Sequence, residues 1–266
     1  MNKVKFDSDW IPPPGATVAD LISRGTAHNS HRAIVEHLGS KKAEMLFEGH
    51  LELDSKLASF LADTVGLSVS FWLEREKIYR ADLVQRQAEK QLLDQLPLDE
   101  MRARSFIQPV HSHAETIAEV VQFFGKEDPK SCRETIEQLP TLVRQKTSRA
   151  LTSHPGSLAV WLRAGELEAT RTECADWSPK KLRELLPEFR KLTRTEDPRR
   201  FLPKIKSLCQ ACGIAFVVSR ATSGCRARGA VRLLSATKIM LLLSFRHLSD
   251  DQFWFTFFHE LGHLLL

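Results

Sequence analysis

Apolar residues in the first third of the chain recur at helical spacing. Leu57, Leu61 and Val65 follow an i, i+4, i+8 pattern, and the short helical stretches around them are separated by glycines. Residues 69–96 form a longer amphipathic pattern that ends at a proline, which does not continue a helix. The pattern therefore predicts a compact helical bundle over residues 1–96.

The middle of the chain, residues 97–207, also has a helical pattern. Its clearest helix is WSPKKLRELLPEFRKL, in which Ser178 suits the N-cap position and Pro179 the first helical position. No internal repeat and no low-complexity tract occurs in the sequence. We therefore expect a helical connecting region between the first bundle and the C-terminal part.

Beyond residue 207 the pattern changes from helical to strand-like. Three short runs are rich in Val, Ile, Leu and Phe: IAFVV (214–218), AVRLL (230–234) and IMLLLSF (239–245). A last helix begins at SDDQ, where Ser249 and Gln252 form a capping box. The chain is therefore predicted to be an α+β protein, predominantly α-helical, with its strands confined to residues 208–266.

Composition and length are those of an ordinary globular protein, with 266 residues, 42% hydrophobic and 27% charged. The beginning, MNKVKFDSDW, lacks the apolar core of a signal peptide, and the apolar run Ile239–Leu243 is far too short to span a bilayer. Five cysteines, an odd number in a chain without a secretion signal, favour a reducing compartment. We expect a cytoplasmic protein with no membrane partner.

Positive charge is concentrated in one segment of the chain. Residues 180–232 contain 14 Lys and Arg against 4 Asp and Glu, an excess of +10 within an overall net charge of +5. Such an excess can attract nucleic acid or an acidic protein. The alternative interpretation is a set of solvated helix faces, and the charge alone does not choose between them.

The most specific motif is His-Glu-x-x-His in FFHELGHLLL at the end of the chain. On a helix, His259 and His263 lie one turn apart on the same face, where both imidazoles can reach one zinc ion. Glu260 points about 100° away, beside the metal, and can accept a proton from water that the metal acidifies. Two histidines without metal are the structural alternative.

The run GAVRLLSATKIMLLLSFRHLSDDQFWFTFFHELGHLLL resembles the ImmA/IrrE zinc metallo-endopeptidases. The likeness extends upstream through AVWLRAGELEA (159–169) and FRKLTR (189–194) to the strand IAFVV. This resemblance implies a zincin-like domain over residues 208–266, with the zinc helix beside a small antiparallel sheet. It also implies limited proteolysis of a transcriptional repressor or antitoxin, with His259 and His263 as ligands of Zn²⁺ and Glu260 as the catalytic base.

The N-terminal segments PPGATVADLI and SFWLEREKIYRADL resemble the Cro/cI-type helix-turn-helix of HigA-like antitoxins and regulators. This resemblance implies promoter DNA, and a toxin, as further partners. The candidate DNA-contacting residues are Lys41 and Lys42. Glu44 and Glu48 beside them would repel phosphates, so a helical domain used for packing or protein contacts is the alternative.

The sequence departs from the family at the third metal ligand. Family members supply it, usually as an acidic residue, well after the second histidine, where this chain has only three leucines. His247, Asp250 and Asp251 lie upstream, roughly 12–18 Å from the histidine pair along a helix. We therefore expect a truncated product or fragment of a longer peptidase. The alternative function is a non-catalytic HigA-like DNA-binding transcriptional regulator or antitoxin with a degenerate zincin half.

Two further sequence features, a candidate edge strand and a Cys-x-x-Cys pair, are less specific than the zinc motif. AVRLL is the candidate edge strand beside the zinc helix, where an extended substrate adds by main-chain hydrogen bonds. Arg226, Arg228 and Arg232 near it would then favour an acidic substrate segment. Cys209 and Cys212 have Cys-x-x-Cys spacing, but without a second pair we expect both thiols to pack on a buried helix face.

Overall fold

The computed structural model describes residues 11–25, 29–110, 112–144, 153–244 and 250–266. The helices in these ranges are α1 Pro14–Ser23, α2 Ser30–Leu38, α3 Ser40–Glu48, α4 Ser55–Val65, α5 Val69–Asp94, α6 Leu98–Ala103, α7 His113–Phe124, α8 Pro129–Arg144, α9 Pro155–Arg171, α10 Pro179–Leu192, α11 Pro198–Ala211 and α12 Asp250–Leu265. The strands are β1 Ile214–Val218, β2 Gly229–Ser235 and β3 Lys238–Leu243. None of the described helices combines the length and the apolarity that a membrane crossing requires.

Two compact units divide the chain. The first comprises Met1–Lys90 and Ser112–Ala114, and the second comprises Gln91–His111 and Glu115–Leu266. The described part of the first unit is helical, whereas the second unit contains the sheet. Helices α9, α10 and α11, which the sequence places in a connecting region, lie in the same unit as the sheet and α12.

The first unit is a bundle of helices around a core of aliphatic side chains and one tryptophan. Val18, Ile34 and Leu46 from α1, α2 and α3 are buried there together with Trp72 of α5. The Trp72 indole N–H donates a hydrogen bond to the carbonyl of Gly66 at 3.0 Å, so its polar atom is paired as well as buried. The helical structure predicted for this part of the chain is confirmed.

Asp54 caps the N-terminus of α4, where its carboxylate accepts a hydrogen bond from the Leu57 N–H at 2.8 Å. Replacing it with alanine leaves that amide without its partner. We therefore expect Asp54→Ala to lower the free energy of unfolding by about 1 kcal/mol in urea denaturation. Asp63→Ala removes an exposed carboxyl near the other end of the same helix and should change stability by less than about 0.5 kcal/mol. Equal losses in both variants would contradict the role of the cap.

The sheet of the second unit has three strands in the order β1-β3-β2. β3 pairs with β2 antiparallel through a tight hairpin, and it pairs with β1 parallel. The positions of all three predicted strands are confirmed to within two residues at each end. The predicted α+β class, predominantly helical, is confirmed with them.

The expectation of an antiparallel sheet is wrong for one of its two strand pairs, because β1 runs parallel to β3. The hairpin makes β3 run opposite to β2, and β3 then lies beside β1 and runs in the same direction as β1. Both β1 and β3 are nearly uninterrupted runs of buried apolar residues, as is typical of parallel strands covered on both faces. β2 carries exposed residues and lies at an edge.

Helices cover the sheet on both faces. The side chains that pack toward α9 and the buried Trp161 are Ala215, Val217, Ala230, Met240 and Leu242. Those on the opposite face, toward α10, α11 and α12, are Ile214, Phe216, Val231, Ile239 and Leu241. Because successive strand residues point to opposite faces, the two cores share one sheet, and α12 packs on the second face beside β2.

Other local predictions for the second unit agree with the structure. Ser178 accepts a hydrogen bond from the Lys181 N–H at 3.3 Å, and Pro179 begins α10. Cys209 and Cys212 are both buried as expected. Burial raises the pKa of the Cys212 thiol to about 11, which disfavours the reactive thiolate. The predicted capping box at the start of α12 depends on Ser249, which lies outside the described residues.

Candidate metal centre

Helix α12 is anchored by its aromatic face, which fixes the direction of its other faces. Phe253, Phe257 and Leu261 are buried in the core under the sheet, with Phe257 packed on Phe189 of α10 at a ring separation of 5.2 Å. The periodicity of 3.6 residues then turns positions 255, 259 and 263 away from this core. The motif histidines therefore lie on a face of α12 that is open to solvent.

The ring nitrogens of His259 and His263 lie close together on α12. Their Nε2 atoms are 3.2 Å apart, and the rings are nearly perpendicular at 80°. Two nitrogens at zinc distances of 2.0–2.1 Å and a tetrahedral angle are separated by about 3.3 Å. The geometry of this pair therefore fits two neighbouring positions in the coordination shell of one zinc ion.

Glu260 occupies a different environment from the two histidines. It is 2% exposed, and burial raises the pKa of its carboxyl group to about 8. One carboxyl oxygen, Oε2, is buried and has no hydrogen-bond partner among the described residues. A buried carboxyl group without a hydrogen-bond partner is costly, and buried titratable groups with a perturbed pKa cluster at functional sites.

Gly229 at the start of β2 makes room for Glu260. A Cβ atom at this glycine would lie 2.7 Å from both Cγ and Oε1 of Glu260. A glycine within a strand commonly marks a close approach of another group, and here that group is the candidate base. Sequence reasoning missed this residue, although a glycine at the start of a predicted strand was the available signal.

Among the residues that the structure describes, no third candidate ligand accompanies the two histidines. In the described ranges, no three His, Cys, Asp or Glu side chains are grouped to hold a metal ion. His247 and the side chains of Asp250 and Asp251, the upstream candidates, lie outside the described residues. The described residues therefore provide two candidate ligands, His259 and His263, and a candidate acid–base group, Glu260.

The outer edge of β2 runs beside α12, as expected for the candidate substrate strand. The Ser244 N–H donates to the Arg228 carbonyl, so the even-numbered residues of β2 direct their backbone groups to β3. Gly229, Val231 and Leu233 consequently direct theirs away from β3, and no other described strand pairs with them. This edge can accept an added strand next to Glu260.

The three arginines predicted near the edge strand have different positions. Arg226 and Arg228 precede β2, and Arg226 is exposed. Arg232 lies within β2 and forms an ion pair with Glu166 of α9. This pair places Arg232 on the α9 face of the sheet, opposite to Glu260. Arg232 and the candidate base Glu260 therefore lie on opposite faces of the sheet. A substrate role for Arg226 and Arg228 stays a prediction.

The predicted DNA-contacting residues lie in the first unit. Lys41 and Lys42 are exposed in the first turn of α3, which begins directly after Gly39 ends α2. Glu44 and Glu48 are exposed as well, and helical geometry places both within about 60° of Lys41 around the helix axis. DNA binding by this helix stays a prediction.

Comparison with known proteins assigns no family to this chain. No protein-family model matches it, and no curated protein and no solved structure matches it either. A proposal about its function therefore depends on the histidine pair, Glu260 and the edge strand themselves.

The contact between Gly229 and Glu260 leads to a prediction with a matched control. Gly229→Ala is expected to push the Glu260 carboxyl group aside and to lower the free energy of unfolding by about 1–3 kcal/mol, because the added methyl overpacks a filled site. Gly262→Ala adds the same methyl where nothing lies within 4 Å, on the helix that carries the motif. There we expect stabilisation by up to about 1 kcal/mol. Urea denaturation measures both, and destabilisation by Gly262→Ala alone would contradict the assignment.

Proposed function

We propose that this chain is a zinc-dependent metallo-endopeptidase of the ImmA/IrrE type. The observation that carries the proposal is the joint geometry of α12 and β2. The two Nε2 atoms lie 3.2 Å apart, and Glu260 is buried against the first residue of an open sheet edge. The histidine pair would bind the metal, Glu260 would transfer the proton, and the sheet edge would align the substrate.

Zinc fits the nitrogen pair that His259 and His263 present, and a third ligand would come from outside the described residues. A bound zinc ion would supply Lewis acidity and make a coordinated water acidic near neutral pH. Glu260 would accept the proton of the attacking water and donate it to the departing amine nitrogen. Its carboxyl group supports this role, because it is buried against Gly229 and its Oε2 has no hydrogen-bond partner among the described residues.

The substrate would bind as an extended segment along β2. The outward backbone groups of Gly229, Val231 and Leu233 provide donors and acceptors for an added strand. Leu233 is also 63% exposed and offers an apolar contact at this edge. From the resemblance in sequence, we propose a transcriptional repressor or an antitoxin as the protein that is cleaved.

The second candidate function is a DNA-binding transcriptional regulator or antitoxin of the HigA type with a non-catalytic zincin half. The absence of a third ligand among the described residues favours it, because two ligands alone hold zinc weakly. Under this alternative, α2 and α3 would contact promoter DNA, and the second unit would serve as a docking surface for a partner such as a toxin.

Cleavage of a quenched random-sequence peptide library by the purified full chain with one equivalent of zinc separates the two candidates. The peptidase proposal predicts cleavage that a chelator stops and that Glu260→Gln lowers at least 100-fold without loss of zinc. Stoichiometric zinc with no cleavage by either protein would support the non-catalytic alternative. Cleavage that persists at the same rate in Glu260→Gln would contradict the peptidase mechanism.

A further inference from the structure

Helices α10 and α11 carry a surface of positive charge that the candidate metal centre does not use. Helices α10 and α11 and the segment that joins them form a helical hairpin, residues 179–211. It contains ten Lys and Arg residues, all of them exposed, and four acidic residues, so its net charge is +6. The acidic residues are Glu184, Glu188, Glu196 and Asp197. The ten cations, named here the basic hairpin, are Lys180, Lys181, Arg183, Arg190, Lys191, Arg194, Arg199, Arg200, Lys204 and Lys206.

Most of these cations form no ion pair and no side-chain hydrogen bond within the part of the chain that the structure describes. Three of the ten have partners: Lys191 pairs with Glu188, Arg199 pairs with Asp197, and Arg183 donates to the carbonyl of Leu265. The other seven form no ion pair and no side-chain hydrogen bond with any residue in the described part of the chain. Their charge is therefore directed to solvent or to a partner.

The arrangement of the cations follows the two helices. On α10 the buried residues Leu182 and Phe189 define the core face, and the cations run along the exposed side for the length of the helix, about 21 Å. On α11 the buried residues are Phe201, Ile205 and Cys209, and between Pro198 and Ala211 every charged residue is positive. Such an extended array matches a linear polyanion better than a single anionic group.

Four of the cations are placed where they do not help the helices. The first turns of α10 and α11 contain Lys180, Lys181, Arg199 and Arg200, and neither first turn contains an acidic residue. The helix macrodipole is positive at this end and disfavours added positive charge there. Helix stability therefore does not explain these residues, and repulsion among them raises the positive potential of the surface.

The chemistry of the surface favours duplex nucleic acid over an acidic protein. No large hydrophobic side chain between residues 179 and 211 is exposed, whereas protein interfaces need an apolar core. The aromatic residues of the hairpin, Phe189 and Phe201, are buried, so no ring is available to stack on the bases of a single strand. We propose that the basic hairpin binds double-stranded nucleic acid through its phosphate backbone, without reading the base sequence. This inference does not depend on zinc or on peptidase activity.

Fluorescence anisotropy with a labelled random-sequence 20-bp DNA duplex tests the proposal on the full chain in the presence of a chelator. With about four phosphate contacts, the affinity should fall by about 10²-fold between 50 and 200 mM salt. The variant Arg190→Gln/Arg194→Gln/Lys204→Gln removes three cations without partners, and the slope of log affinity against log salt should decrease by about two to three. Circular dichroism checks that the variant is folded.

The matched control removes three exposed lysines from helices α4 and α5 of the first unit, none of them a candidate DNA contact, as Lys56→Gln/Lys77→Gln/Lys90→Gln. This control should keep the salt slope to within about one. Absence of binding at 50 mM salt would overturn the proposal, and so would a larger loss in the control, which would assign the binding to the first unit. Competition by a polyglutamate peptide at lower concentration than DNA would identify an acidic protein segment as the partner instead.

Discussion

His259→Ala is expected to lower the affinity of the full chain for zinc at least 100-fold. The substitution removes one of the two nitrogens that lie 3.2 Å apart and leaves a single imidazole from α12. One histidine does not hold zinc against a chelator of moderate strength, because each coordinating side chain contributes several kcal/mol to the binding free energy. Competition with a chromophoric chelator measures the affinity, and metal analysis of the purified protein gives the stoichiometry.

His50→Ala is the control for this experiment, because His50 is an exposed histidine of the first unit that pairs with Glu48. It should retain the zinc affinity of the unaltered chain. Circular dichroism should show both variants folded, since His263 and His259 project from the solvent-facing side of α12 rather than from its core. An equal loss of zinc affinity in both variants, or full retention of zinc affinity in His259→Ala, would show that the motif histidines do not bind the metal.

Glu260→Gln is expected to remove most of the pH dependence of stability from the metal-free second unit. The pKa of the buried carboxyl group is raised to about 8, so the folded state holds a proton that the unfolded state releases above its ordinary value of 4.5. Stability therefore falls as the pH rises through this window, by about 1.4 kcal/mol per pH unit. Between pH 4.5 and 7 the loss amounts to about 3 kcal/mol.

Urea denaturation followed by tryptophan fluorescence, in the presence of a chelator, measures this difference at several pH values. Glutamine has the shape of the protonated carboxyl group and does not ionise, so the Glu260→Gln curve should lie above the curve of the unaltered chain by an amount that grows with pH. Glu184→Gln removes an exposed carboxyl group of α10 and should leave the pH dependence unchanged. Parallel curves for Glu260→Gln and the unaltered chain would show that the carboxyl group is not buried as described.

The sequence pattern was sufficient for the elements that depend on local spacing. Runs of Val, Ile and Leu located the three strands, and the combination of Ser178 and Pro179 located the start of α10. His-Glu-x-x-His placed two imidazoles on one face because the helix repeat alone brings residues four apart together. These predictions needed no knowledge of tertiary packing.

Contacts between distant segments could not be read in the same way. The parallel pairing of β1 with β3 depends on which strand the hairpin places in the centre, and a strand pattern does not encode its neighbour. The contact of Glu260 with Gly229 joins α12 and β2, which only tertiary packing brings together. The ion pair of Arg232 with Glu166 likewise depends on the face that β2 presents to α9.

X-ray absorption at the zinc edge on the full chain, loaded with one equivalent of zinc, shows which side chains coordinate the metal. We expect two imidazole nitrogens at about 2.0–2.1 Å from the zinc ion, with both lost in the double variant His259→Ala/His263→Ala. A spectrum without imidazole scattering, or one that is unchanged in the double variant, would contradict the assignment of His259 and His263 as the zinc ligands.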